Sequence, residues 1–261
     1  MKQLILIMMM SMMKFSCSIF ESNKIDNSNK VYVALKRLDQ IGIVDPNTGE
    51  MDTIGINFEH SVSEDHTPHF IVIDIINGYW FVTMINSGYV GRYHLETNEL
   101  IDAIVVGDLP ALMALNGSKK KLYISRMMPM EGNNGAVRKV VQEIDYSDPD
   151  QMIVSNEFII GSPSPHGLGI NSDGTEIYFA SNTADWLYKL FPSSGERDSV
   201  VMDVSINNSS DLITQRLKPI QIVSVEDSLL FVTCSAGEWL DNNEFVYIPG
   251  QIQLWNSNSM T

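Results

Sequence analysis

The chain has 261 residues, 44% hydrophobic and 19% charged, which supports a packed core and excludes a disordered chain. Its 32 acidic against 17 basic residues give a formal charge of −15, which argues against nucleic-acid binding through a basic surface. Two cysteines, Cys17 and Cys234, exclude a disulfide-rich scaffold and a cysteine-based zinc site.

Lys2 precedes an apolar run from Leu4 to Met13 (LILIMMMSMM). A spanning helix needs about 20 apolar residues, so this shorter run fits a secretory signal. Residues 1–16 are expected to be that signal peptide. The remainder is expected to be exported, to the periplasm, outer membrane or cell surface. Ser16-Cys17 resembles the end of a bacterial lipobox, although Lys14 and Phe15 depart from its pattern. Cys17 is therefore either a lipidation site or incidental, and it is the only membrane attachment the sequence offers. Residues 17–30 are polar and rich in Ser and Asn, and read as a tether.

Residues 31–261 read as a repeat. Four units start at Pro68, Pro110, Pro165 and Pro219. An aliphatic strand, a Gly/Asn/Asp turn and an aromatic-bearing strand follow each proline. Phe81, Tyr123, Tyr178 and Phe231 occupy matching places in that second strand, and Thr83, Ser125, Ala180 and Thr233 lie two residues later. Third strands follow at 89–95, 140–145, 186–191 and 250–255. Residues 31–54 match the later part of the same unit. Four short strands per unit, without an amphipathic helix, predict an all-β protein: a β-propeller of four-stranded antiparallel blades.

Residues 162–182 (SPSPHGLGINSDGTEIYFASN), the following WLYKLFPSSGE, and the turn Asp45-Pro46-Asn47-Thr48-Gly49-Glu50 resemble the YVTN-repeat propeller family. The resemblance implies a ring that is seven-bladed when intact, in secreted or surface-attached proteins of mixed roles. The same turn resembles part of a quinoprotein docking motif. That motif wants tryptophan where Thr53 stands, so no cofactor is predicted. About five blades are visible. The last residues align with the third strand and turn of the first unit, so the ring is expected to be C-terminally incomplete.

In such a meander, the loops joining strands two and three share an end with the inter-blade loops. The long insertions, 127–139, 235–249, 57–69 and 203–219, all fall at that end. Long loops on a rigid scaffold commonly carry binding. Met127, Met130, Trp239, Phe245 and Tyr247 are candidate ligand-binding residues there, for a protein, peptide or carbohydrate partner. The same side chains could instead pack the loops onto the blades. His69 and His166 each follow a repeat-starting proline, which points both at the mouth of the central channel, with His66 close by. These three could hold a metal, or belong to the repeat's structure. No nucleophile, phosphate or metalloprotease motif is present. Two functions remain open: an exported, non-enzymatic binding propeller, or a lactonase-like or metal-dependent hydrolase at the channel mouth.

Overall fold

Successive residues of a strand point to opposite faces of its sheet, and here both faces are apolar. In the second strand of the Pro68 unit, Trp80, Val82 and Met84 belong to one core, while Phe81 belongs to the next. A sheet that is apolar on both sides needs a neighbour on each. Stacked blades supply one.

The computed structural model describes residues 29–58, 65–107, 109–127, 130–131, 137–138, 140–161, 164–182, 185–202, 217–225, 228–239, 244–246 and 249–261. The expected signal peptide and most of the expected tether, Cys17 included, lie outside them. Blade 1 is β1 (Val31–Leu35), β2 (Gln40–Val44) and β3 (Met51–Gly55). Blade 2 is β4 (Pro68–Asp74), β5 (Tyr79–Met84), β6 (Tyr89–His94) and β7 (Leu100–Val105). Blade 3 uses β8 (Pro110–Asn116), β9 (Lys121–Arg126), β12 (Val140–Asp145) and β13 (Ile153–Ile159), with the ribbon β10 (Met130–Glu131) and β11 (Val137–Arg138) between β9 and β12. Blade 4 is β14 (Pro165–Ile170), β15 (Ile177–Ser181), β16 (Trp186–Leu190) and β17 (Arg197–Val201). Blade 5 uses β18 (Pro219–Val225), β19 (Leu229–Cys234) and β22 (Gln251–Asn256), with the ribbon β20 (Glu238–Trp239) and β21 (Phe245–Val246) between β19 and β22. Every pairing is antiparallel between neighbours. Among the described residues the Pro68, Pro110 and Pro165 units are four-stranded as expected, whereas the Pro219 unit shows three strands and blade 1 corresponds to strands two to four of the unit. Among the described residues, no helix is long and apolar enough to cross a membrane.

The core is a series of layers between blades. Tyr32, Ile41, Trp80 and Val82 fill the first, and Phe81, Val90, Leu122 and Ile144 the second. Tyr123, Val141, Ile177 and Phe179 fill the third, and Tyr178, Leu187, Leu230 and Val232 the fourth. The recurring aromatics Phe81, Tyr123 and Tyr178 each pack toward the following blade.

Each inner strand breaks register just after its proline, between Pro68 and Phe70, Pro110 and Met113, Pro165 and Leu168, and Pro219 and Gln221. A bulge frees a backbone N–H that must find an acceptor. In blades 2 and 3 the small residue two after the aromatic supplies one. Phe70 N–H donates to Thr83 Oγ1 at 3.1 Å, and Leu112 N–H to Ser125 Oγ at 3.1 Å. The same hydroxyls donate across to the next blade, Thr83 to the Ala111 carbonyl at 2.9 Å and Ser125 to the His166 carbonyl at 2.7 Å.

Candidate functional site

The residue before each repeat proline, Thr67, Leu109, Ser164 or Lys218, has φ between 49° and 54°. Its carbonyl accepts the N–H of the residue that follows the unit's second strand: Ile85, Met127, Asn182 or Ser235. Left-handed backbone costs a non-glycine residue about 1 kcal/mol, so this corner needs reinforcement. Two aspartates give it. Asp39 accepts from His66 and Thr67 N–H at 2.8 and 2.6 Å, and Asp185 accepts from Leu217 and Lys218 N–H at 3.1 Å each. Each aspartate sits just before a third strand and clamps the entry to the next blade. The sequence reading missed both. Their matching place, one residue before a third strand, was the available signal.

The residues after two of these prolines, His69 on β4 and His166 on β14, approach each other, with ring centroids 6.0 Å apart and planes at 88°. The same position holds Ala111 on β8 and Ile220 on β18. His166 Nδ1 lies 2.8 Å from the Ile220 carbonyl. A carbonyl only accepts, so Nδ1 carries the proton and Nε2 is left as the lone-pair nitrogen. His69 Nε2 is buried without a hydrogen-bond partner. Burial, then repulsion from His166 and Lys36, pushes the His69 pKa down to about 4. Burial also lowers that of His166, against the hydrogen bond to Ile220. At neutral pH this pair thus presents two uncharged imidazoles, suited to hydrogen bonding or to metal ligation.

His66 does not join them. It is buried, its Nδ1 lies 3.0 Å from Ser87 Oγ, and its ring packs edge-on to Phe58 at 4.9 Å. Among the described residues, no three His, Cys, Asp or Glu side chains converge to hold a metal.

Antiparallel pairing alternates the ends of the blades, so the connections between strands two and three share one end. Within two of them, 127–139 and 235–249, the described residues pair as the ribbons β10–β11 and β20–β21. In the second ribbon Trp239 is the register partner of Phe245. Met130 pairs with Arg138 in the first. Met127 is half-buried and packs against the core between blades 3 and 4. Tyr247 lies outside the described residues. On the same face, an open depression of about 660 Å³ is lined by Lys36, Arg37, Leu38, Asp39, Asp65, Thr67 and Asn86. The sequence reading passed over this short β1–β2 turn, although Lys36-Arg37 is a doublet of cations in an acidic chain.

At the opposite end, buried cations fasten blades to one another. Arg92, fully buried on β6, donates to the carbonyls of Asp148 at 2.8 Å and Pro149 at 3.0 Å. Lys189, at the matching place on β16, donates to the Ser257 carbonyl at 2.9 Å. Each cation fastens its blade to the next blade's outer turn. The turn at 145–150 is therefore a docking point for Arg92. Tyr146 adds a 2.7 Å hydrogen bond to buried Asp74.

No family model matches the chain, and no curated protein matches it. Solved structures do. A chain of the mitotic checkpoint complex is 14% identical with a TM-score of 0.61, over 90% of this chain and 59% of that one. The Cps50 (Swd1) β-propeller domain of Myceliophteria thermophila is 13% identical at 0.60, over 87% and 66%. A functionally unknown protein of Desulfotomaculum acetoxidans is 14% identical at 0.59, over 86% and 67%. This chain thus spans 59% of the first of these. At such identities the likeness establishes the fold alone, and that fold is a β-propeller.

Proposed function

We propose that this chain is a non-enzymatic binding propeller that takes a protein or carbohydrate partner through its loop-rich face. It would work outside the cytoplasm, behind a signal peptide at 1–16 and with Cys17 as its lipid anchor. One observation carries the reading. Two separate blades extend the same connection, between strands two and three, into β-ribbons at the same end of the scaffold, whereas the other end is occupied by short turns fastened to neighbouring blades. The β20–β21 ribbon carries Trp239 and Phe245 as register partners, and aromatic residues are common anchors at recognition surfaces. The test is to screen the purified chain on glycan and peptide arrays and to re-test hits with Trp239→Ala and Lys119→Glu. Binding lost with the first change and kept with the second supports the reading. Binding lost only with Lys119→Glu, which alters the opposite face, contradicts it.

A second reading rests on the pair at the channel mouth. His69 and His166 offer uncharged imidazoles and one unpartnered nitrogen, the beginnings of a metal-dependent hydrolase site. Equilibrium dialysis against zinc decides it. Stoichiometric uptake abolished by His69→Ala and by His166→Ala would favour it, and no uptake would end it.

A further inference from the structure

The junctions from blade 2 to 3, 3 to 4 and 4 to 5 each engage one carbonyl, that of the residue after the next blade's proline. Thr83 of blade 2 donates to Ala111 in blade 3 at 2.9 Å, and Ser125 of blade 3 donates to His166 in blade 4 at 2.7 Å. Blade 4 has no such hydroxyl. Ala180 stands in the place of Thr83 and Ser125, pairing with Leu187 as they pair with Val90 and Val141. The carbonyl it leaves unserved belongs to Ile220 of blade 5. That carbonyl is bonded all the same, because His166 Nδ1 lies 2.8 Å from it. A side chain on the inner strand β14 does here what a side chain on the second strand does at the two preceding junctions.

Two glycines of β14 bring that carbonyl within reach. Gly167 and Gly169 occupy the places of Phe70 and Val72 in blade 2 and of Leu112 and Ala114 in blade 3. A Cβ on Gly167 would lie 3.3 Å from the Gln221 backbone, and one on Gly169 would lie 3.3 Å from the Ile222 carbonyl oxygen. Strands β14 and β18 therefore run closer than larger side chains at these two places would allow. Asn182 Nδ2 adds a bond to the neighbouring Pro219 carbonyl at 3.2 Å. We infer that His166 replaces the hydroxyl that Ala180 lacks, tying blade 4 to blade 5 through Nδ1 and leaving Nε2 as the one nitrogen it can offer a ligand. An N–H stands at Nδ1 both in this neutral tautomer and in the imidazolium, so the tie does not depend on pH. The statement about the ligand rests on the reading of His69 and His166 as a metal-holding pair, and the tie does not.

His166→Phe keeps a ring and removes the donor, and Ala180→Ser supplies a hydroxyl where Thr83 and Ser125 carry theirs. Urea unfolding of the full chain would be measured for wild type, each single variant and the double variant. His166→Phe should lower the ratio of folded to unfolded protein about tenfold, the effect of one lost hydrogen bond. Ala180→Ser should recover most of that loss in the His166→Phe protein and gain little in wild type, where the carbonyl is already bonded. A His166→Phe protein as stable as wild type overturns the inference, as does a loss that Ala180→Ser leaves unrecovered. Nitrogen-15 NMR of the wild-type imidazole reads the tautomer directly. Protonated Nδ1 with bare Nε2 at neutral pH is expected, and the reverse tautomer overturns the tie. The double variant then separates the tie from the ligand. It keeps the junction and lacks Nε2, so zinc uptake seen in wild type and lost in the double variant supports Nε2 as the ligand atom. Uptake retained in the double variant, or absent from wild type, overturns that half and leaves the tie standing.

Discussion

Acidification should destabilise this protein through His69. Desolvation, followed by repulsion from His166 and Lys36, holds the folded-state pKa at about 4, against 6.5 for the free side chain. Between those values the unfolded chain binds a proton that the folded chain refuses, so stability rises with pH across the window. The contribution is fully present above about pH 6.5 and is lost as the pH falls through about 4. A difference of this size would be worth about 3.4 kcal/mol at 1.36 kcal/mol per pK unit. His69 is only half-buried, so solvent screens the penalty and roughly half of that is expected. Urea unfolding of wild type and His69→Gln at a series of pH values gives the measurement, since glutamine does not titrate and the common carboxylates cancel in the difference. The stability gap between the two proteins should shift by about 1.5 kcal/mol between pH 7 and pH 4. A gap that does not change with pH, or an NMR titration of His69 centred near 6.5, would refute the reasoning.

Further outcomes follow from the blade corners. Asp185→Ala strips the acceptor from two backbone N–H groups and should cost about 2–4 kcal/mol in urea unfolding, with Asp185→Asn costing less because one oxygen remains. Ser125→Ala removes both the acceptor for the bulged Leu112 N–H and the donor to the His166 carbonyl, for a loss of about 1–3 kcal/mol. Gly107→Ala should be at least as damaging as an ordinary overpacking change, about 1–3 kcal/mol. Gly107 has φ 92°, and an added Cβ would lie 2.6 Å from Nη1 of the buried Arg126. A Gly107→Ala protein as stable as wild type would show that this corner relaxes freely.

The blades were legible in the sequence because their signals are local and repeated. A proline, an aromatic and a small residue at fixed spacing mark the bulge, the interface and the hydroxyl that joins them. Trp80 and Phe81, adjacent in sequence yet in different cores, could be read as a strand buried on both faces. The clamps were harder to see. Asp39 and Asp185 act on backbone groups 27 to 33 residues away, and a lone acid before a strand reads as a turn residue. Arg92 and Lys189 break an apolar strand with a cation, which in isolation suggests a solvent-facing position. Only the packing of the next blade turns them inward. Sequence placed both His69 and His166 at the mouth, but their approach depends on the angle between blades 2 and 4, which no spacing encodes. For the same reason His66, three residues from His69, could not be told apart from it until its ring was seen against Phe58.

The account stands on the assignment of binding to the loop-rich face. The most direct test is a hydroxyl-radical footprint of the full chain with and without the best ligand from the glycan and peptide arrays. Protection confined to residues 36–39, 127–138 and 235–249 is the predicted result. Protection centred on the turns at 117–119 and 192–195, with the ribbons unchanged, would contradict it.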